Sequence, residues 1–410
     1  MLAIGIAVAF LAAAAVVMVL PPGARHGDWL PLHLAMAGGA TVAIAGVMPF
    51  FIAALAAAPP SDARLRIAAV LACATGAISI SVGVIAGISV VASVGGLVFV
   101  SGIALTAAVI LGPLNHALGP SRGIVARGYL AALAQVGIGA SVATLYVAGW
   151  PPVVAAWAAS KPAHAWLNLI GFVSLVIATT LLHFFPTIVG ARIVVRWSTR
   201  WTVCGLGAGP PLVAAGMITT SDALAWMGAA LVVTGAAALA LSTWATWRTR
   251  GRWTTDPGWH RFATVAMLSA IAWFQVGIAI AVGRLALFGA TPASWSLDAV
   301  VAPLVVGWVG LAVLAAATHL VPAVGPGDQS AHARQRQILG RFSVIRLVAA
   351  NAGTAALAIG VPLHLDGLVT AGGLIVTGML ATTGALIISS IVAGSLPTMR
   401  RAVGMDKAGQ

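Results

Sequence analysis

The chain contains no glutamate, and its acidic side chains are eight aspartates, so charged residues make up only 7% of 410 positions. A soluble globule of this size could not cover its surface with so little charge, which leaves lipid as the solvent. No aspartate falls inside an apolar run: Asp28, Asp222, Asp298 and Asp366 sit on one side of the expected spans, and Asp62, Asp256, Asp328 and Asp406 on the other. Carboxylate proton relays across the membrane are therefore missing. The two cysteines, Cys73 and Cys204, lie far apart inside apolar segments without C-x-x-C spacing and read as packing residues. No Walker-type or dinucleotide glycine loop is present, no serine has an acid–histidine partner arrangement, and no sizeable soluble domain could house one. The formal charge of +13 is scattered singly and in small groups between apolar stretches, a pattern that excludes nucleic-acid binding.

What the chain does have is apolar sequence, at 60% of residues. Runs of spanning length, separated by Pro, Gly and charge clusters, predict helices near 3–20, 30–57, 66–87, 91–115, 126–149, 164–189, 201–219, 222–247, 261–286, 299–322, 342–362 and 367–396. The first twenty residues lack the basic region of a signal peptide and count as the first helix. With twelve spans, eighteen basic residues fall on one side and Arg25, Lys161 and Arg284 on the other. Positive residues stay cytoplasmic, so both termini are expected inside. Trp244, Trp247, Trp253 and Trp259 cluster at the basic connection 248–260, as expected of a loop resting on the membrane surface.

The expected fold is an all-α integral membrane protein, one transmembrane domain over 1–410, with about twelve helices in three four-helix pseudo-repeats near 1–120, 121–255 and 256–400. The sixth helix carries Gly171-Phe172-Val173 and then His183 and Pro186; the tenth carries Gly307-Trp308-Val309 with His319 and Pro322 at the same offsets. One helix earlier, Gln135-Val136-Gly137-Ile138 recurs as Gln275-Val276-Gly277-Ile278. A fainter third copy places Gly5-Ile6 before His33. Same-topology repeats of this length describe parallel units related by an axis along the membrane normal.

The polar residues left near membrane depth are chiefly His33, His116, His164, His183 and His319, with Asn115, Asn168 and Asn351. His33 and His164 are expected to open their helices at the outer side, and His183 and His319 to close theirs at the inner side. His164 and His183, 19 residues apart, are separated by about 28 Å of helix and cannot share one metal. Imidazole is a good donor to haem iron or copper, and intramembrane ionisable groups tend to mark function. One outer and one inner pair is the natural division, His33 with His164 first and His183 with His319 second. The competing reading is interfacial or hydrogen-bonded histidines near prolines that free backbone carbonyls. His26, His260, His332 and His364 lie in loops or at a helix end and read as solvated. The pairs Gly38-Gly39, Gly95-Gly96 and Gly372-Gly373 suit close helix packing, or a flat cofactor against backbone.

His164-Ala165-Trp166-Leu167-Asn168 followed by Gly171-Phe172, and His33-Leu34 with Gly38-Gly39, resemble segments of divergent haem-copper oxidase subunit I proteins. Those include NnrS-type proteins and the membrane domains of some actinobacterial copper-type nitrite reductases. The resemblance implies twelve helices in three four-helix arcs, with ligands on the second, sixth and tenth. It also implies haem b or copper as cofactor and a redox partner or electron donor besides the lipid bilayer. The chain departs from genuine oxidases in having only Tyr129 and Tyr146 and no histidine on its seventh helix, so the copper centre with its cross-linked tyrosine cannot be built. The expected function is electron transfer, nitric-oxide handling or metal response rather than oxygen-reducing proton pumping. A twelve-helix secondary transporter and a cofactor-free accessory subunit are the alternatives. The Ala, Gly and Arg richness points to the cytoplasmic membrane of a high-GC bacterium.

Overall fold

The computed structural model describes residues 2–55, 59–114, 122–251 and 259–402. Among them the regular elements are all helical, with no strand, as a bilayer requires when each backbone polar group must be satisfied within its own segment. The fold is that of an all-α multi-pass membrane protein. Eleven helices are long and apolar enough to cross a bilayer, and Leu2–Met18 is a twelfth, shorter apolar helix of 17 residues.

We number the helices along the chain. Helix α1 is Leu2–Met18; α2 runs as Trp29–His33, Leu34–Ala40 and Thr41–Leu55; α3 is Ala63–Ile85; α4 is Ser89–Leu114; α5 is Arg122–Val147. Helix α6 runs as Trp157–Ala165, Trp166–Ser174 and Leu175–Val189; α7 is Trp197–Ile218; α8 is Asp222–Trp247; α9 is Trp259–Phe288. Helix α10 runs as Leu297–Val301, Ala302–Gly310 and Leu311–Val324; α11 is Gln329–Gly340, α12 Ser343–Gly360 and α13 Asp366–Ala402. The boundaries follow local chemistry. The Asp62 carboxylate accepts the Leu65 N–H at 2.9 Å to open α3, and Gly87 at φ +67° closes it into a tight turn to α4.

Two elements differ from the sequence expectation. Helix α6 begins at Trp157, so His164 sits about two turns inside it instead of opening it. Helix α11 is too polar to register as a span; it is amphipathic, burying Ala331, Gln335 and Leu339.

The middle parts of α2, α6 and α10, namely Leu34–Ala40, Trp166–Ser174 and Ala302–Gly310, are π-helical. These wider turns are uncommon and tend to occur at functional positions. In two of them a hydroxyl helps to end the segment by reaching five residues back: Thr41 Oγ1 donates to Met36 O at 3.0 Å and Ser174 Oγ to Leu169 O at 2.8 Å. Each helix then resumes α geometry and carries a proline, Pro49, Pro186 or Pro322. The repeated Gly171-Phe172-Val173 and Gly307-Trp308-Val309 lie inside their π segments, and Gly38-Gly39 inside the first.

The chain forms two compact units, each described by itself. Unit 1 comprises Met1–Thr180, Val195–Leu239 and Leu285–Trp295; unit 2 comprises Leu181–Val194, Ala240–Arg284 and Ser296–Gln410. In unit 1, α3 and α4 approach to backbone distance: a β-carbon on Gly76 would meet the Phe99 backbone, and one on Gly83 the Ala92 backbone. Gly38 and Gly39 receive Phe10 and Leu11 of α1, and Gly96 receives Thr144, so these pairs serve helix packing. Cys73 is buried, whereas Cys204 faces outward. In unit 2, Arg346 at the start of α12 is only 2% exposed. Its guanidinium donates to the Arg341 and Leu339 carbonyls and lies 3.9 Å from the centroid of the Phe262 ring. A cation thus caps the C-terminus of α11, where the helix dipole favours positive charge.

Candidate metal centre

Unit 1 brings His33 and His164 together. Their rings are within 13° of parallel and their centroids are 6.5 Å apart. His33 ends the first α-helical part of α2, where its Nδ1–H donates to Trp29 O at 2.8 Å and its ring stacks on the Trp29 indole at 4.3 Å. His164 projects from α6 onto α5 and donates Nδ1–H to Gly139 O at 2.9 Å. A carbonyl only accepts, so in both residues the proton is on Nδ1 and the lone pair on Nε2. Metal-bound histidines are typically held this way, with the non-ligating N–H fixed on a carbonyl.

Asn168, one turn after His164, has its amide nitrogen 3.0 Å from His164 Nε2 and 3.1 Å from Nδ1. Gly139 makes this possible, since a β-carbon there would lie 2.7 Å from Asn168 Oδ1. A metal held by His164 Nε2 would take the place of the Asn168 amide at that nitrogen.

Gln135, one turn before Gly139, has an assignment that the sequence reading missed. Pro210 and Pro211 lie inside α7 and supply no N–H to the carbonyls four residues earlier. Gln135 Nε2 donates to those two carbonyls, Leu206 O and Gly207 O, both at 3.2 Å. The signal was the Pro-Pro pair inside an apolar span facing a glutamine on another. Asn168 Oδ1 and Gln135 Oε1 are buried without a hydrogen-bond partner, two acceptors available to a polar group.

The donor set permits a test of fit. Each imidazole keeps an Nε2 lone pair that would serve as a metal donor, and the two rings are 6.5 Å apart between centroids. Among the described residues there is no group of three or more His, Cys, Asp or Glu side chains able to hold a metal. The pair would suit a group that brings further donors of its own, as haem does, or a two-coordinate metal. An open groove of about 330 Å³ lined by Gly83, Tyr146 and Val154 among others contains neither histidine.

The second expected pair lies in unit 2. His183 is buried at 1% exposure. The half-buried His319 ring meets Phe184 edge-on, with centroids 5.6 Å apart, and is within electrostatic reach of His260 at the start of α9. His116 and Asn115 lie outside the described residues, as do Arg252 and Trp253 of the basic connection.

In unit 2 the repeat counterpart of the His164 region has different contents. Val300 stands at the place of His164 and Leu304 at that of Asn168, both fully buried. Trp273 packs against Gly307 and donates Nε1–H to Asn351 Oδ1 at 3.0 Å, while Asn351 donates to Ser269 Oγ at 3.2 Å and Leu347 O at 2.8 Å. No protein-family model matches the chain, and no curated protein matches it either.

Proposed function

We propose that this is a haem b-binding protein of the bacterial cytoplasmic membrane, with both termini inside and with copper as the alternative metal. In this reading it resembles divergent haem-copper oxidase subunit I proteins and serves electron transfer, nitric-oxide handling or metal response without oxygen-reducing proton pumping. The observation that carries the reading is the near-parallel His33–His164 pair, each imidazole anchored through Nδ1 on a backbone carbonyl.

His33 and His164 would hold the metal through Nε2. Trp29 and the Gly139 carbonyl fix the ring orientations, and Asn168 stands at the His164 Nε2 that the metal would occupy. Bound haem supplies a one-electron couple whose potential depends on axial ligation and burial. The excess of basic residues on one side of the spans supports the orientation.

Purified, detergent-solubilised protein should show a b-type band in its reduced-minus-oxidised spectrum, with iron near one per chain. The band should be lost in monodisperse His33→Ala and His164→Ala. A colourless, copper-loaded protein would select the copper alternative. A colourless and metal-free protein would refute the reading in favour of transport or an accessory role.

A further inference from the structure

We infer that helix α11 and the corner that follows it form a binding site for an anionic phospholipid, with arginines for the headgroup phosphate and an apolar edge for the acyl chains. The inference is independent of the haem reading. Helix α11 connects two spans, α10 and α12, so it lies where a membrane surface would be. Its buried face, Ala331, Gln335 and Leu339, is anchored by Gln335 Nε2 donating to Pro326 O at 3.1 Å.

Arg334 and Arg341 are both exposed. Arg334 lies within α11 and Arg341 is the residue that ends it, about 10 Å further along the axis. Neither has a carboxylate partner among the described residues; Arg334 reaches only the Ser330 hydroxyl, at 3.3 Å. Arg346 cannot neutralise a ligand of its own, because its guanidinium is spent on the Leu339 and Arg341 carbonyls. It does add a third positive charge beneath the end of α11.

The apolar half of the site begins at the next residue. Phe342 is held at φ +55° and is 61% exposed, and Ile345 and Val348 continue its edge at 68% and 62%. A left-handed phenylalanine is costly and persists only where its surroundings impose it. Here it turns an aromatic ring outward between a guanidinium and the first turn of a span. A basic face next to an exposed aromatic is the arrangement by which an interfacial helix engages anionic lipid. A soluble phosphate would use the arginines but would have no use for the apolar edge.

The full-length protein can be tested by native mass spectrometry and by its lipid-dependent melting in nanodiscs, comparing phosphatidylglycerol with phosphatidylcholine. Phosphatidylglycerol should bind selectively, and Arg334→Gln/Arg341→Gln should weaken it about 30-fold, from the attraction of two arginines near an anionic surface. Phe342→Gly accepts the positive φ without strain, so this variant should keep its fold yet lose affinity for phosphatidylglycerol. Arg25→Gln, at an unrelated ion pair with Asp28, should change nothing. Equal binding of the two lipids would overturn the proposal, as would selectivity that survives the double substitution. Displacement of the lipid by inorganic phosphate at comparable concentration would also overturn it.

Discussion

The α5–α6 contact of unit 1 and the α9–α10 contact of unit 2 share a plan but differ in content. In both, a glycine of a π-helical segment receives a side chain from the preceding helix: Gly171 faces Gln135, and Gly307 faces Trp273. In unit 1 the surroundings are His164, Asn168 and Gln135, with the buried Asn168 Oδ1 and Gln135 Oε1 unpartnered. In unit 2 the corresponding space is filled by Val300, Leu304 packed on Gly277, and Phe274 stacked on Trp308 at 4.7 Å. Its polar groups, Trp273 and Asn351, are paired with each other. The glycine and the π segment are therefore architecture common to both copies. The imidazole and its amide neighbour are particular to one, and that is where the proposed metal site lies.

The largest effect should come from removing an imidazole. His164→Ala or His33→Ala should abolish the haem band, whereas His183→Ala should leave it in place. A band that depended on His183 instead would erase the distinction between the two contacts. Next, Gln135→Leu leaves the Leu206 and Gly207 carbonyls buried and uncapped, and should cost about 1–3 kcal/mol in denaturation assays. Asn351→Leu in unit 2 strands the Trp273 N–H and should cost a similar amount without altering any spectrum. Gly139→Ala pushes a methyl into Asn168 and should cost roughly 1–3 kcal/mol, together with a shift or loss of the band. The smallest change is Asn168→Ala, which frees His164 Nε2; metal loading should be retained, with faster reconstitution measured by stopped-flow absorbance.

The sequence conveyed much of this fold because lipid imposes simple rules. Spans announced themselves by length and hydropathy, and even the turn at Gly87 emerged where a single glycine interrupts apolar sequence. The matched Gly171 and Gly307 segments pointed to α6 and α10. Their π geometry stayed hidden, because a one-residue widening leaves apolar composition unchanged. Helix α11 escaped because a search for apolar runs passes over a polar surface helix. His33 and His164 could be paired from their positions on equivalent helices. The anchors Trp29 O and Gly139 O were not legible, since any residue supplies a carbonyl and only the packing decides which one an imidazole meets. Gln135 was seen as a repeat marker, and its task became clear only when α7 brought Pro210 and Pro211 opposite it.

The most direct test is the electron paramagnetic resonance spectrum of the oxidised, purified protein. Two near-parallel imidazoles on ferric haem should give a rhombic low-spin signal that disappears in both His33→Ala and His164→Ala. A well-folded protein with no haem or copper signal, or with a signal indifferent to both substitutions, would contradict the account.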